Sequence, residues 1–197
     1  MADSIDLKLF AGKDERHSKE RFMLVRILIA VNILLAVILL FATTKPDTLR
    51  VERSIEIAAP PEKIFALLDD FHQWPQWAPQ DKDDPTVTRT YSGAASGLGA
   101  VSEWRGKAST GNGRMEIVES VPNSRVAVET DFAKPFVTHD RNEFTLQPAG
   151  ATTRVTWTMQ GSNLYVMKVM SLFMNMDREA GKHFEAGLAN LKAAAEK

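Results

Sequence analysis

Residues 161–191 read GSNLYVMKVMSLFMNMDREAGKHFEAGLANL. Val166, Met170, Phe173, Asp177, Ala180, Phe184, Leu188 and Leu191 recur there at spacings of three and four. That is the period of one face of an α-helix. The stripe predicts one C-terminal helix of roughly thirty residues, long for a small domain, which needs a broad apolar surface to lie against.

The chain before it supplies that surface. Short alternating runs at Thr86–Tyr91, Ala100–Gly106, Arg114–Glu119, Arg125–Phe132, Thr138–Leu146 and Thr152–Met159 are separated by turn residues. Pro148-Ala149-Gly150 between the last two reads as a hairpin turn. Upstream, Val51, Arg53, Ile55 and Ile57 alternate with Glu52, Ser54 and Glu56, a half-buried strand. Pro60-Pro61-Glu62 then opens a helix, with proline pre-setting φ and the acid favoured by the helix dipole. Phe71, Trp74 and Trp77 follow at spacing three in a short helix or turn. The order predicts an α+β domain whose curved, seven-stranded antiparallel sheet wraps the last helix. Such a closure seldom fills completely, so a cavity is expected beneath the helix.

Several strings carry a resemblance. They are Arg53-Ser54-Ile55-Glu56-Ile57-Ala58-Ala59-Pro60-Pro61-Glu62-Lys63-Ile64-Phe65 and Trp74-Pro75-Gln76-Trp77-Ala78-Pro79, then Tyr91-Ser92-Gly93, Gly97-Leu98-Gly99-Ala100, Val155-Thr156-Trp157 and Leu172-Phe173-Met174-Asn175-Met176-Asp177. Over roughly Val51–Glu196 the chain resembles the START/SRPBCC superfamily, in particular its bacterial polyketide cyclase/dehydrase and lipid transport branch. The resemblance implies the helix-grip fold and an apolar cavity under the long helix. It does not choose among lipid carriers, hormone or coenzyme-Q binders, chaperone activators and ring-closing enzymes, which share the scaffold. No general catalytic motif carries over.

Taking the apolar parity of each strand as inward places Val87, Arg89 and Tyr91; Ala100, Ser102 and Trp104; Met115 and Ile117; Val126, Val128 and Thr130; Asn142, Phe144 and Leu146; and Val155, Trp157 and Met159 on the wall. The Phe71/Trp74/Trp77 segment and the Phe132–Val137 loop, with Phe136, are expected as lids. The helix contributes Met167, Met170, Phe173 and Met174, flexible side chains suited to varied apolar shapes. Asp177 on the stripe is either a cavity polar group or an ion pair. For any one of these residues core filling is the plainer account, because apolar periodicity marks burial. As a set, apolar walls with a few inward polar groups match a small-molecule pocket.

The residues offer little to an enzyme. His72 sits in the aromatic segment, His139 shares a strand parity with Arg141 and Glu143 that predicts solvent, and His183 flanks the helical stripe. The nucleophile, nucleotide and metallopeptidase motifs are missing. Asp69-Asp70 and Asp81/Asp83/Asp84 read as solvated turns rather than a metal site. No cofactor is expected. The chain has no cysteine, which excludes disulfides and thiol catalysis. Val51–Lys197 carries 16 basic and 19 acidic residues, a net of −3, with no basic face for nucleic acid.

Phe22–Ala42 reads FMLVRILIAVNILLAVILLFA, broken only by Arg26 and Asn32. As a helix it reaches roughly 30 Å, the thickness of a bilayer core. Arg26 lies near the end and can snorkel; Asn32 is a tolerated polar residue or a helix–helix hydrogen bond. Lys8, Lys13, Arg16, Lys19, Arg21 and Arg26 before or within the span outnumber Lys45, Arg50 and Arg53 after it. The bias predicts a cytoplasmic N-terminus and a domain on the far side of the membrane; the resemblance to a bacterial branch implies that this is a bacterial inner membrane. Phe41-Ala42-Thr43-Thr44 is a poor cleavage site, favouring an uncleaved anchor. The expected organisation is a charged tail (1–21), a transmembrane signal anchor (22–42), a linker (43–50) and one ligand-binding domain (51–197). The leading functional expectation is a membrane-anchored module binding a lipid or isoprenoid, ahead of a cyclase/dehydrase-type enzyme and a protein-interaction adaptor.

Overall fold

The computed structural model describes residues 3–79, 84, 86–107, 110–134 and 137–197, the first eighteen of them and Lys134 by backbone alone. The chain divides into two compact units, Met1–Lys45 and Pro46–Lys197.

The first unit is one helix, α1 (Asp3–Thr43), which continues through the charged lead without a break. Its Arg21–Thr43 segment has a mean hydropathy of 2.9 and is long and apolar enough to cross a bilayer. One N–H of the Asn32 amide donates to the Leu28 carbonyl at 2.8 Å, within the same helix. The Thr43 and Thr44 hydroxyls donate back to the Leu40 and Phe41 carbonyls and close its end.

The second unit is a seven-stranded antiparallel sheet. Its strands are β1 (Thr48–Ile57), β2 (Thr88–Gly93), β3 (Ala100–Arg105), β4 (Asn112–Val121), β5 (Arg125–Lys134), β6 (Thr138–Ala149) and β7 (Thr152–Ser162). They lie in the order β1-β7-β6-β5-β4-β3-β2. Consecutive hairpins account for every neighbour except β1, which returns to pair with β7. β1 begins at Thr48, so the last three residues expected in the linker belong to the sheet.

Helix α2 (Pro61–Leu68) starts with proline at its first position and buries Ile64 and Leu68. The expected single C-terminal helix is two. The short α3 (Tyr165–Met170) ends in a turn, and α4 (Met176–Ala195) restarts beyond it. The Asn175 side chain accepts the Arg178 N–H at 3.0 Å, and Asp177 and Glu179 occupy the first turn of α4. That cap and the acids favour a helix start here, which outweighs the continuous apolar period.

The halves of α4 do different work. Leu188, Leu191 and Ala195 are buried against Ile57, Ile64, Leu68, Val126, Phe144 and Val155 in the closed core. The first half is held to β1 by Arg53. Its guanidinium donates to Asp177 Oδ2 at 3.0 Å, to the Asp177 carbonyl at 3.0 Å and to Glu185 Oε1 at 2.9 Å. Across the sheet, Asp84 is buried and ties two loops. It accepts from the Thr86 N–H and hydroxyl, the Lys107 N–H and the Thr110 hydroxyl, at 2.6–3.0 Å.

Candidate functional site

A cavity of about 250 Å³ lies under the first half of α4. Its walls come from the segment after α2 (Trp74, Trp77, Ala78, Pro79), from the sheet (Trp104, Met115, Thr130, Phe132, Asp140, Asn142, Trp157, Met159) and from α4 (Glu179, Ala180, His183, Phe184).

Local geometry fixes these side chains. The Trp74 indole N–H donates to the Leu68 carbonyl and the Trp77 indole N–H to the Leu67 carbonyl, each at 3.0 Å. These two bonds tie the aromatic segment, expected as a lid, to the end of α2, and Trp74 and Trp77 stand in the cavity wall. Trp104 lies across Gly113, where any Cβ would sit 2.2 Å from its ring, and it meets Phe132 edge-on at 5.3 Å. Trp157 stacks flat on Phe184 with centroids 4.2 Å apart. Its indole N–H donates to Asn142 Oδ1 at 2.9 Å, and the Asn142 amide donates to the Thr130 hydroxyl at 3.2 Å. This chain satisfies the inward polar groups among themselves, leaving mostly ring faces and thioethers towards the hollow.

Asp140 adds a carboxylate to the lining and accepts from the Thr138 hydroxyl at 3.4 Å. Burial pushes its carboxyl above the ordinary aspartate range, partly offset by the Thr138 hydroxyl and the Ser162 N–H. It faces Gly161 across the β6–β7 ladder, and a Cβ at Gly161 would lie 1.8 Å from its Oδ1. The missing side chain is what gives the carboxyl its place. Glu179, on the helix side, is drawn below its usual range by Lys182 at 2.7 Å and stays charged.

Of the residues expected at the wall or the lids, Trp74, Trp77, Trp104, Met115, Thr130, Phe132, Asn142, Trp157 and Met159 meet at the cavity. Others go elsewhere. Ile117 and Phe144 are fully buried in the closed core, at the end of the sheet where α2 and the second half of α4 press down. Arg89 and Tyr91 lie on the edge strand β2, where Arg89 donates to the Ser102 hydroxyl at 3.3 Å and Tyr91 packs on the His72 ring at 4.1 Å. Asp177 pairs with Arg53 rather than facing the cavity. Met170, Phe173 and Met174 are exposed, because the chain leaves the helix at Ser171. Phe136, Asp81 and Asp83 lie outside the described residues.

Asp140, Glu179, Ala180, His183 and Phe184 were missed as lining residues. Asp140 shares strand parity with Asn142 and Phe144, so the alternation held the signal. Ala180 and Phe184 were on the stripe already.

The profile of the family described as polyketide cyclase/dehydrase and lipid transport matches residues 48–196. No curated protein matches the chain. Solved structures share the fold. A Chromobacterium violaceum protein aligns at 18% identity over 77% of this chain and 99% of its own, with a TM-score of 0.53. The Aha1 dimer from Colwellia psychrerythraea aligns at 22% over 75% and 96%, with a TM-score of 0.51. The di-domain ARO/CYC StfQ from the steffimycin biosynthetic pathway aligns at 11% over 76% of this chain and 51% of its own, with a TM-score of 0.54.

Proposed function

The chain belongs to the polyketide cyclase/dehydrase and lipid transport family, and from that premise we propose that its domain takes an apolar small molecule into the cavity under the first half of α4. Residues 22–42 serve as an uncleaved anchor, with the N-terminus cytoplasmic and the domain on the outer side of a bacterial inner membrane. The tether keeps the cavity close to a bilayer that supplies a lipid or isoprenoid guest.

The observation that carries this reading is the cavity itself, walled by Trp77, Trp104, Met115, Trp157, Met159 and Phe184. Its volume of about 250 Å³ lies just below the range for ligand sites, roughly 300–1,000 Å³. A compact ring system or one segment of a chain suits it better than a whole diacyl lipid. Affinity comes from burying apolar area, at about 25 cal/mol per Å² before the costs of association. A hollow interior also weighs against an adaptor, which would need none.

The test is organic extraction and mass spectrometry of the full chain purified in mild detergent. The expected result is one apolar species near equimolar amount, lost in Ala180→Trp, whose new ring fills the hollow. Identical lipid content in both proteins would overturn the reading.

Asp140 favours a second reading, an enzyme of cyclase or dehydrase type. A carboxyl whose pKa is raised beside an apolar cavity is suited to deliver a proton. On that reading Asp140→Asn retains the guest and no longer converts it; unchanged conversion would dismiss it.

A further inference from the structure

Helix α3 is built inside out. The residue it buries is Lys168, 7% exposed and ion-paired with Asp47. Of its apolar residues, Met167 and Val169 are half-buried, while Tyr165, Val166 and Met170 are 42–47% exposed. Phe173 and Met174 in the turn that follows are 74% and 42% exposed. Water alone gives no reason to bury an ammonium and expose an aromatic ring, and a contiguous apolar patch marks an interaction surface.

The place of the patch in the sheet identifies what covers it. The ladders bring the start of β1 (Thr48), the end of β7 (Ser162) and the start of β6 together at one end of the domain. Val137, 79% exposed, precedes β6 at that same end. The opposite end, with the β2–β3 and β4–β5 turns, exposes only Leu98 and Val121 among the described large apolar residues. The end rich in apolar surface is also where the chain enters. The Asn163 N–H donates to the Asp47 carbonyl at 2.8 Å and its side chain to the Pro46 carbonyl at 2.9 Å, beside the Lys168–Asp47 pair. These contacts fasten α3 to residues 46–47. From Thr43, the last residue of the apolar helix, to Asp47 is four chain steps, at most about 14 Å. A bilayer crossed by α1 is within reach of this patch by chain length alone. The cavity lies at the same end, since Asp140 pairs with Gly161 and Glu179 is in the first turn of α4.

We infer that Tyr165–Met174 docks into the headgroup region of the membrane that α1 spans, placing the rim of the cavity against the lipid. The inference rests on reading α1 as membrane-spanning. Aromatic and methionine side chains on a short surface helix suit burial about 5–10 Å into the headgroup–acyl boundary. Lys168 is spent on Asp47, and that pair turns the apolar face outward.

The chain lacks cysteine, so single labels are straightforward. The full chain is reconstituted in phosphatidylcholine/phosphatidylglycerol vesicles with an environment-sensitive fluorophore at Leu34→Cys, Phe173→Cys or Leu98→Cys. Met170→Cys repeats the patch measurement should the Phe173 variant misfold. Emission is read with and without doxyl-labelled phosphatidylcholine, and with aqueous iodide. The expected result is strong lipid quenching at 34 and 173 and none at 98. A label at 173 that behaves like the one at 98, while 34 is quenched, overturns docking and leaves the anchor standing. Lack of quenching at 34 overturns both. A label at 173 shielded from iodide yet unquenched by lipid means that protein, such as a second copy, covers the patch, and this also overturns the inference. None of these outcomes depends on a guest in the cavity.

Discussion

The two halves of α4 pose the same problem to the sheet and receive opposite answers. Leu188, Leu191 and Ala195 are buried in one cluster with Ile57, Val126, Phe144 and Val155, and none of these seven lines the cavity. One or two turns earlier, Ala180, His183 and Phe184 face an open volume across from Met115, Asn142 and Met159. The difference lies in what stands between helix and sheet. Helix α2 brings Ile64 and Leu68 into the filled half. In the other half, large rings are locked edge-on and flat against one another, so they line the space without filling it. Buried apolar side chains are concentrated in one half and open volume in the other.

Substitutions can break or sharpen that contrast. The largest effect is expected in the filled half. Phe144→Ala should cost about 3–5 kcal/mol in chemical denaturation, the range for emptying a fully buried aromatic site. Leu191→Ala should cost about 2–5 kcal/mol, and Met159→Ala should fall at or below the low end of that range because its site already borders a void. Equal losses for the last two would erase the distinction.

Filling the halves should separate them by sign. Ala195→Phe overpacks the closed core and should cost about 1–3 kcal/mol. Ala180→Phe should leave the thermal midpoint unchanged or raised, while reducing uptake of apolar probes.

Smaller effects concern the carboxylates. Asp84 is held well below the ordinary aspartate range by the Thr86 hydroxyl first, then by the Lys107 N–H and its other donors. Its folded pKa is depressed, so its stabilisation is present above the unfolded value of about 4 and is lost as pH falls below it. Asp84→Asn should flatten that acid limb in a pH series of unfolding midpoints. Asp140 has the reverse sign. Burial raises its pKa, so ionisation weakens the fold as pH rises past the unfolded value. Asp140→Asn should be as stable as the parent at acid pH and slightly more stable at neutral pH. A lower midpoint at neutral pH would contradict this.

Strands and turns were legible because alternation and turn chemistry are local. β5 and β6 begin at Arg125 and Thr138, as the sequence suggests. The break between α3 and α4 was missed because the stripe runs through it in phase, whereas Asn175 and the acids after it set the boundary. The cavity was legible as a class of feature, and so were the four tryptophans of its wall, Trp74, Trp77, Trp104 and Trp157. Strand parity separates inside from outside; it does not say how far along a strand the helix presses down. That is why Ile117 and Phe144 share parity with the lining residues and still sit in the closed core. Arg53 and Asp177 are 124 residues apart, and no local pattern pairs them.

The most direct measurement is diffraction from crystals of the full chain under xenon pressure, since dry apolar cavities take up xenon. The account predicts xenon between Trp157, Met115 and Met159, with the side chains otherwise in place. A site empty of xenon, with Trp104 or Phe184 swung inward to fill it, would contradict the account.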